Sequence, residues 1–165
     1  MARRRPTCLY ATMSPSIATE IEIAASPEMV RAKFLDFPSI STYSPDGFIK
    51  SIAPIVPGKS IEPGDILDVQ LKGAAFKPVS VENTPQAFSW KGSLLGLFFG
   101  THYFRFQPSQ KTPGHTTLAH GEEFGGPLAF MIGENAFAKM IGVREESTKG
   151  FEGFNKDFKA WVERG

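Results

Sequence analysis

Six short segments with the alternating pattern of β-strands follow one another between residues 47 and 124, ahead of a single long helical pattern. The six predicted strands are Phe48–Ile55, Ile66–Leu71, Lys77–Asn83, Phe88–Leu94, His102–Gln107 and Thr116–Phe124. Turn-forming pairs such as Pro57-Gly58 and Pro63-Gly64 separate them. Because strands with such short links pair with their neighbours as hairpins, the pattern predicts a curved antiparallel sheet.

The segment before these strands adds one strand and two short helices. Ile17–Ala24 alternates apolar and polar residues, which is typical of a half-buried strand. Ser26 and Pro27 indicate a helix start, because the Ser hydroxyl caps free N–H groups and Pro suits the first turn. The pattern predicts a helix over Pro27–Asp36 and a second short helical turn over Phe37–Tyr43.

After Gly125-Gly126-Pro127, apolar residues recur at helical spacing and predict one long amphipathic helix over Glu134–Glu163. Its apolar stripe includes Phe137, Met140, Ile141, Phe151, Phe154, Phe158, Trp161 and Val162. Gly142, Gly150 and Gly153 fall inside this range, although glycine costs a helix interior about 1 kcal/mol relative to Ala. We therefore expect a bend there, or a bulky group lying against the helix.

The elements together predict an α+β domain in which a seven-stranded antiparallel sheet curves around the C-terminal helix. A length of 165 residues fits one domain, which we assign to residues 17–165. Residues 1–19 lack Asp and Glu and contain three consecutive arginines, a composition shared with mitochondrial presequences. Two prolines interrupt any helical face there, so we interpret residues 1–16 as a flexible tail and expect a cytoplasmic protein.

Composition argues against several functional classes. Setting the three tail arginines aside lowers the Lys and Arg count from 18 to 15, against 17 Asp and Glu, so no basic face for nucleic acid is expected. No apolar run reaches the length of a membrane span, and the lone cysteine, Cys8, has no partner for an internal disulfide. Nucleotide-binding glycine motifs and the serine-hydrolase motif are absent, so we predict no cofactor.

Four segments carry a resemblance to a known superfamily. They are IEIAASPEMVRAKFLDFPSISTYSP, VENTPQAFSWKG, FFGTHYFRFQPS and TTLAHGEEFGG, in that order. The chain resembles the SRPBCC superfamily, which includes polyketide cyclase/dehydrase-like proteins, START lipid-transfer domains and the birch-pollen allergen family. The resemblance implies a helix-grip fold with a hydrophobic cavity between the sheet and the long helix. It leaves function open, because carriers, cyclases, hydrolases and receptors share this scaffold.

Strand alternation selects three polar residues that would face such a cavity: His102, His120 and Glu122. They share strand parity with the apolar residues Phe104, Phe106, Leu118 and Phe124. A hairpin centred near Lys111 would place His102 about opposite His120. Because a carboxylate fixes the tautomer of a nearby imidazole and raises its basicity, the three residues are candidate catalytic groups. Hydrogen bonding to a ligand and a purely structural role are the alternatives, and no metal is predicted since they form no sharp ligand motif.

The remaining candidate residues are apolar and would line the ligand-binding wall. They are Tyr43, Trp90, Phe104, Phe106, Leu118, Phe124, Met140 and Phe151, with Tyr43 at the cavity mouth. The apolar loops Gly73–Phe76 and Gly96–Gly100 could gate the entrance. We expect a monomer or weak dimer that binds a polyketide-, lipid- or quinone-like molecule. The alternatives are a cofactor-free polyketide cyclase or dehydratase, and a module that binds a partner through Leu97–Phe99.

Overall fold

The computed structural model describes residues 14–94, 96–132 and 142–165, and within these ranges it contains eight strands and three α-helices. The strands are β1 (Ser16–Ile23), β2 (Ile49–Pro54), β3 (Leu67–Leu71), β4 (Ala74–Phe76), β5 (Val79–Asn83), β6 (Ala87–Leu94), β7 (Phe98–Pro108) and β8 (Thr116–Gly125). The helices are α1 (Pro27–Phe34), α2 (Ile40–Tyr43) and α3 (Val143–Val162), with 3-10 turns at Phe37–Ser39 and Ala129–Ile132. No helix of the described ranges is long and apolar enough to cross a membrane.

The strands form two antiparallel sheets that meet along one edge. One sheet has the order β1-β8-β7-β6-β5 and the other has the order β2-β3-β4. An isolated bridge pairs Ile66 with Val79, and the Ser80 N–H donates to the Asp65 carbonyl at 2.8 Å. The hydrogen bonding therefore continues from one sheet into the other. The predicted curved antiparallel sheet is confirmed, but it has eight strands where seven were predicted.

Two segments predicted as loops are strands. After a turn at Gly73, which has a φ of 87°, β4 folds back on β3 and pairs Ala74 with Leu71. Strand β7 begins at Phe98, because Phe98 and Phe99 pair with β6, and Phe99 also pairs with β8. Only Leu97 remains exposed in the predicted partner-binding loop, and Phe98 and Phe99 are half-buried. The expectation that all three side chains are exposed is therefore wrong for Phe98 and Phe99.

The two helices after β1 begin and end close to their predicted positions. Ser26 is the N-cap of α1, and its hydroxyl accepts a hydrogen bond from the Met29 N–H. The second helical segment is divided into a 3-10 turn, Phe37–Ser39, and the single turn of α2. Together they cover the side of the sheet next to α3.

Helix α3 begins at Val143, preceded by Gly142 in the left-handed conformation with a φ of 73°. Residues 134–141 of the predicted helix, and with them Met140, lie outside the described residues. Within α3, a Cβ atom at Gly150 would come within 2.6 Å of the Phe48 ring, whereas one at Gly153 would have no heavy atom within 4 Å. A bulky group therefore does lie against the helix, at Gly150.

These two glycines give a matched pair of substitutions. Gly153→Ala is expected to raise the free energy of unfolding by about 0.5–1 kcal/mol, because Ala is the better helix former. Gly150→Ala is expected to lower it, because the methyl group would push Phe48 away from its neighbour Phe151, whose ring centroid is 5.6 Å from that of Phe48. Urea denaturation measures both changes, and equal stabilisation by the two variants would contradict this account of Gly150.

Aromatic side chains fill the space between the sheets and the helices. The largest cluster includes Phe34, Phe88, Trp90, Phe104, Phe106, Phe154 and Phe158, all buried. A smaller cluster at the other end of α3 consists of Ile17, Phe124, Ala129 and Phe151, with half-buried Phe48 and Phe98 packed against it. The predicted apolar stripe of the helix thus faces the sheet at Phe151, Phe154 and Phe158.

Candidate functional site

Strands β7 and β8 place two histidines side by side on the inner face of the sheet. The register pairs His102 with Glu122 and Phe104 with His120. The two histidines, predicted to lie about opposite each other, are therefore offset by two residues along β8, because the hairpin is centred on Thr112 and not on Lys111. Both imidazoles still lie on one face as diagonal neighbours. Their Nε2 atoms are 2.8 Å apart.

The histidine pair is embedded in aromatic rings. His102 is 3% exposed and stacks on Trp90 with a ring separation of 4.6 Å, and His120 is fully buried. The His120 ring lies between Phe104 and Phe151, at 4.3 Å from each. Burial holds the pKa of His120 well below its usual range, and the neighbouring His102 lowers it further. His120 therefore stays neutral under ordinary conditions.

Asn155 of α3 fixes which nitrogen of His120 carries the proton. The Thr19 hydroxyl donates to the His120 carbonyl at 3.0 Å, so its oxygen accepts from Asn155 Nδ2, also at 3.0 Å. The amide oxygen of Asn155 consequently faces Nδ1 of His120, at 2.8 Å. Since an amide oxygen only accepts, Nδ1 bears the hydrogen and Nε2 of the neutral ring bears the lone pair.

The position of the hydrogen on His120 decides which ring nitrogen of His102 donates. Because Nε2 of His120 is an acceptor, Nε2 of His102 donates to it. The other ring nitrogen of His102, Nδ1, is 3.6 Å from Glu122 Oε2, which is too long for a hydrogen bond but within ion-pair range. Glu122 is 24% exposed, whereas the two histidines are buried. The chain of hydrogen bonds thus runs in one direction, from His102 through His120 to Asn155, and His102 faces a carboxylate that solvent or a ligand can reach.

The arrangement can therefore exchange a proton at one end only. At His120 both nitrogens are committed, Nδ1 as donor and Nε2 as acceptor. At the other end, His102 Nδ1 and the Glu122 carboxylate face each other across a gap that no hydrogen bond fills. A ligand hydroxyl beside this pair would find two acceptors, the carboxylate and the lone pair of His102 Nδ1, and either could act as a base.

Sequence reasoning missed Asn155, although a signal was present. Asn155 lies four residues after Phe151 and three before Phe158, so it occupies the buried stripe of α3. It is 2% exposed. A polar amide at a helix position whose neighbours at these spacings are both buried Phe indicates a specific hydrogen-bond partner in the core.

The structure places the predicted wall residues in two different settings. Six of them are buried and pack against one another: Trp90, Phe104, Phe106, Leu118, Phe124 and Phe151. Tyr43 is also buried, stacks on Trp161 at 4.8 Å, and lines a groove of about 520 Å³ together with Phe48 and Gly150. This groove lies between α3 and the segment that leads into β2, and none of the six buried wall residues lines it. Within the described residues, no group of three or more His, Cys, Asp or Glu could hold a metal ion.

Comparison with known proteins identifies the fold. No protein-family model matches the chain, and no curated protein matches it in sequence. Among solved structures, a START superfamily protein from Mycobacterium smegmatis is 17% identical, with a TM-score of 0.60 over 90% of this chain and 97% of that one. Norcoclaurine synthase from Thalictrum flavum, solved with dopamine and hydroxybenzaldehyde, is 14% identical, with a TM-score of 0.62 over 99% and 96% of the two chains.

A third similar structure is the Zhui aromatase/cyclase from Streptomyces sp. R1128, which is 11% identical, with a TM-score of 0.56 over 90% of this chain and 93% of that one. All three likenesses extend over nearly the whole chain, including the long C-terminal helix. They agree with the observed order of one strand, two short helices, a run of antiparallel strands and a final helix. The chain thus has a helix-grip fold, in which an antiparallel sheet packs against a long C-terminal helix.

Proposed function

We propose that this protein binds a small hydrophobic molecule of polyketide, lipid or quinone type between the sheet and α3, with its polar end at His102 and Glu122. The observation that carries the proposal is the unfilled gap of 3.6 Å between His102 Nδ1 and Glu122 Oε2. Half-buried Phe48 and Phe98 pack against the aromatic cluster at this end of the interior. Apolar walls with a few placed polar groups are typical of small-molecule sites.

A purely structural role for His102 and Glu122 explains the long distance between them less well. Buried polar groups that serve only stability are hydrogen-bonded, and leaving one unpaired costs about 1–3 kcal/mol. The pairs from Thr19 through Asn155 to His120 obey this rule, with distances of 2.8–3.0 Å. Within this network, only His102 Nδ1 and Glu122 Oε2, at 3.6 Å, lie beyond hydrogen-bond distance. A ligand hydroxyl could donate to the carboxylate and complete the network.

The test uses 2-naphthol and naphthalene as probes, which differ by one hydroxyl group. In a Trp161→Phe background, emission reports on Trp90 alone, and we expect both probes to quench it. Glu122→Gln should weaken 2-naphthol binding by about 1–3 kcal/mol, because a charged acceptor for the hydroxyl is lost, and should leave naphthalene binding unchanged. Glu123→Gln is the matched control, since its side chain is exposed. Absence of Trp90 quenching, or equal losses in both Glu variants, would contradict the proposal.

A second candidate function is a cofactor-free polyketide cyclase or dehydratase, which the one-way hydrogen-bond chain favours. Glu122 or His102 would remove a proton from a carbon next to a ligand carbonyl. The resulting carbanion would attack a second carbonyl carbon of the same chain, and the proton would pass to the new alkoxide oxygen. Loss of water would complete the reaction. His120, held as an acceptor, would keep His102 oriented throughout.

The same pair of Glu variants distinguishes binding from catalysis. If the protein turns over a synthetic poly-β-ketone, Glu122→Gln should slow the reaction by about a hundredfold, the usual scale for a general acid–base group. Glu123→Gln should leave the rate unchanged. Binding of the poly-β-ketone without any change in its absorbance would assign the protein to the carrier class.

A further inference from the structure

Gly100 lies in β7, two residues before His102 and on the same face of the sheet. It is buried, and its backbone conformation is one that any L-residue adopts, so backbone freedom does not explain glycine at this position. Within β7 it is paired with Gly92 on one side and Phe124 on the other. A glycine in a strand interior often marks a place where another group approaches closely.

The group that approaches Gly100 is the side chain of Glu122. A Cβ atom built on Gly100 would overlap Glu122 Oε1, and it would lie 3.0 Å from Cδ and 3.3 Å from Cγ of the same side chain. The carboxylate thus occupies the space that any other residue at position 100 would fill. From there its second oxygen reaches to 3.6 Å from His102 Nδ1.

We infer that Gly100 is a positioning residue, whose missing side chain lets Glu122 lie across β7 and face His102. The inference deepens the proposed function, because it names the residue that sets the distance across the gap between these two groups. A methyl group at Gly100 would meet the far end of a flexible side chain. The carboxylate can rotate away, so Gly100→Ala should move Glu122 and leave the fold intact.

Gly92 provides a matched control. It is the cross-strand partner of Gly100. A Cβ atom there would meet only the Phe76 ring, at 3.4 Å, which is an ordinary contact. Gly92→Ala therefore introduces the same methyl group into the same pair of strands without touching Glu122.

The experiment is ¹⁵N NMR of the imidazole nitrogens in the full-length protein without ligand, at a fixed pH near neutrality. Glu122→Gln should shift the Nδ1 resonance of His102, because the facing carboxylate is removed. Gly100→Ala should reproduce most of that shift, and Gly92→Ala should leave the resonance where it is in the wild type. An unchanged His102 resonance in Gly100→Ala would overturn the inference, as would a resonance that ignores Glu122→Gln.

A double-mutant cycle shows whether Gly100 acts through Glu122. Adding Gly100→Ala to Glu122→Gln should change the His102 resonance no further, whereas a second shift of equal size would mean that the methyl group acts through the backbone. If Gly100→Ala alone lowers the melting temperature, adding Glu122→Ala should restore it by removing the clash, and failure to restore it would refute the inference. None of these readouts uses a ligand, so they stand apart from the test of probe binding.

Discussion

Phe154→Ala is expected to lower the free energy of unfolding by about 3–5 kcal/mol, the range for truncation of a fully buried Phe. Phe154 has no exposed surface. Its ring contacts those of Tyr43, Phe104, His120 and Phe158. Because these neighbours belong to the sheet, to α2 and to α3 itself, they cannot all move to close the cavity that the substitution leaves.

Urea denaturation measures this loss, and Val56→Ala is the control. Val56 is 59% exposed, so its truncation should change the free energy of unfolding by roughly 0.5 kcal/mol or less, as is usual at the surface. A loss below about 1 kcal/mol for Phe154→Ala would mean that the packing of α3 on the sheet is wrong.

Stability is expected to fall as the pH drops below 6.5, by up to about 1 kcal/mol per pH unit, until carboxylates begin to titrate near pH 5. The pKa of His120 is lowered by burial in the folded protein, whereas in the unfolded chain it returns to 6.5. In this window the unfolded state therefore binds one more proton than the folded state, and acid favours unfolding. Urea denaturation between pH 5 and 8 measures the slope.

Two variants test whether His120 causes this change of stability with pH. His120→Phe keeps a ring between Phe104 and Phe151 but removes the titrating group, so its stability should vary less with pH. Asn155→Asp places a carboxylate against the Nδ1–H of His120, which favours the protonated ring and should also flatten the slope. Identical slopes in the wild type and in His120→Phe would show that His120 is not the group responsible.

Much of the fold follows from local patterns. The Ser26-Pro27 start of α1 and the alternation of β8 depend on neighbouring residues, and both are confirmed. The sequence did not predict that β4 and the first residues of β7 are strands. Ala74 and Phe98 adopt extended structure because strands β3 and β6 pair with them, and such pairing is a tertiary effect that overrides local composition.

The sequence predicted which residues of the candidate site share a face, but not their cross-strand pairs or hydrogen bonds. Strand parity alone placed His102, His120 and Glu122 on one face, and the structure confirms this. Their cross-strand pairing depends on the residue at the centre of the β7–β8 hairpin. A shift of that centre by one residue gives His102 a different partner on β8. Asn155 stood out as a polar residue in the buried stripe of α3, but its contact with His120, and that of Thr19, could not be predicted, because they join His120 from parts of the chain 35 and 101 residues away.

The place of β1 in the sheet has a consequence for synthesis of the chain. β1 hydrogen-bonds only to β8 within the five-stranded sheet, and Thr19 is 101 residues from the His120 it contacts. On a ribosome, roughly 5–20 s separate the emergence of these two segments. During that interval β1 has an open edge, the kind that pairs with strands of other chains. A chain arrested before β8 would thus leave both edges of β1 unpaired, whereas in the completed chain β8 covers one of them and brings His120 to Thr19.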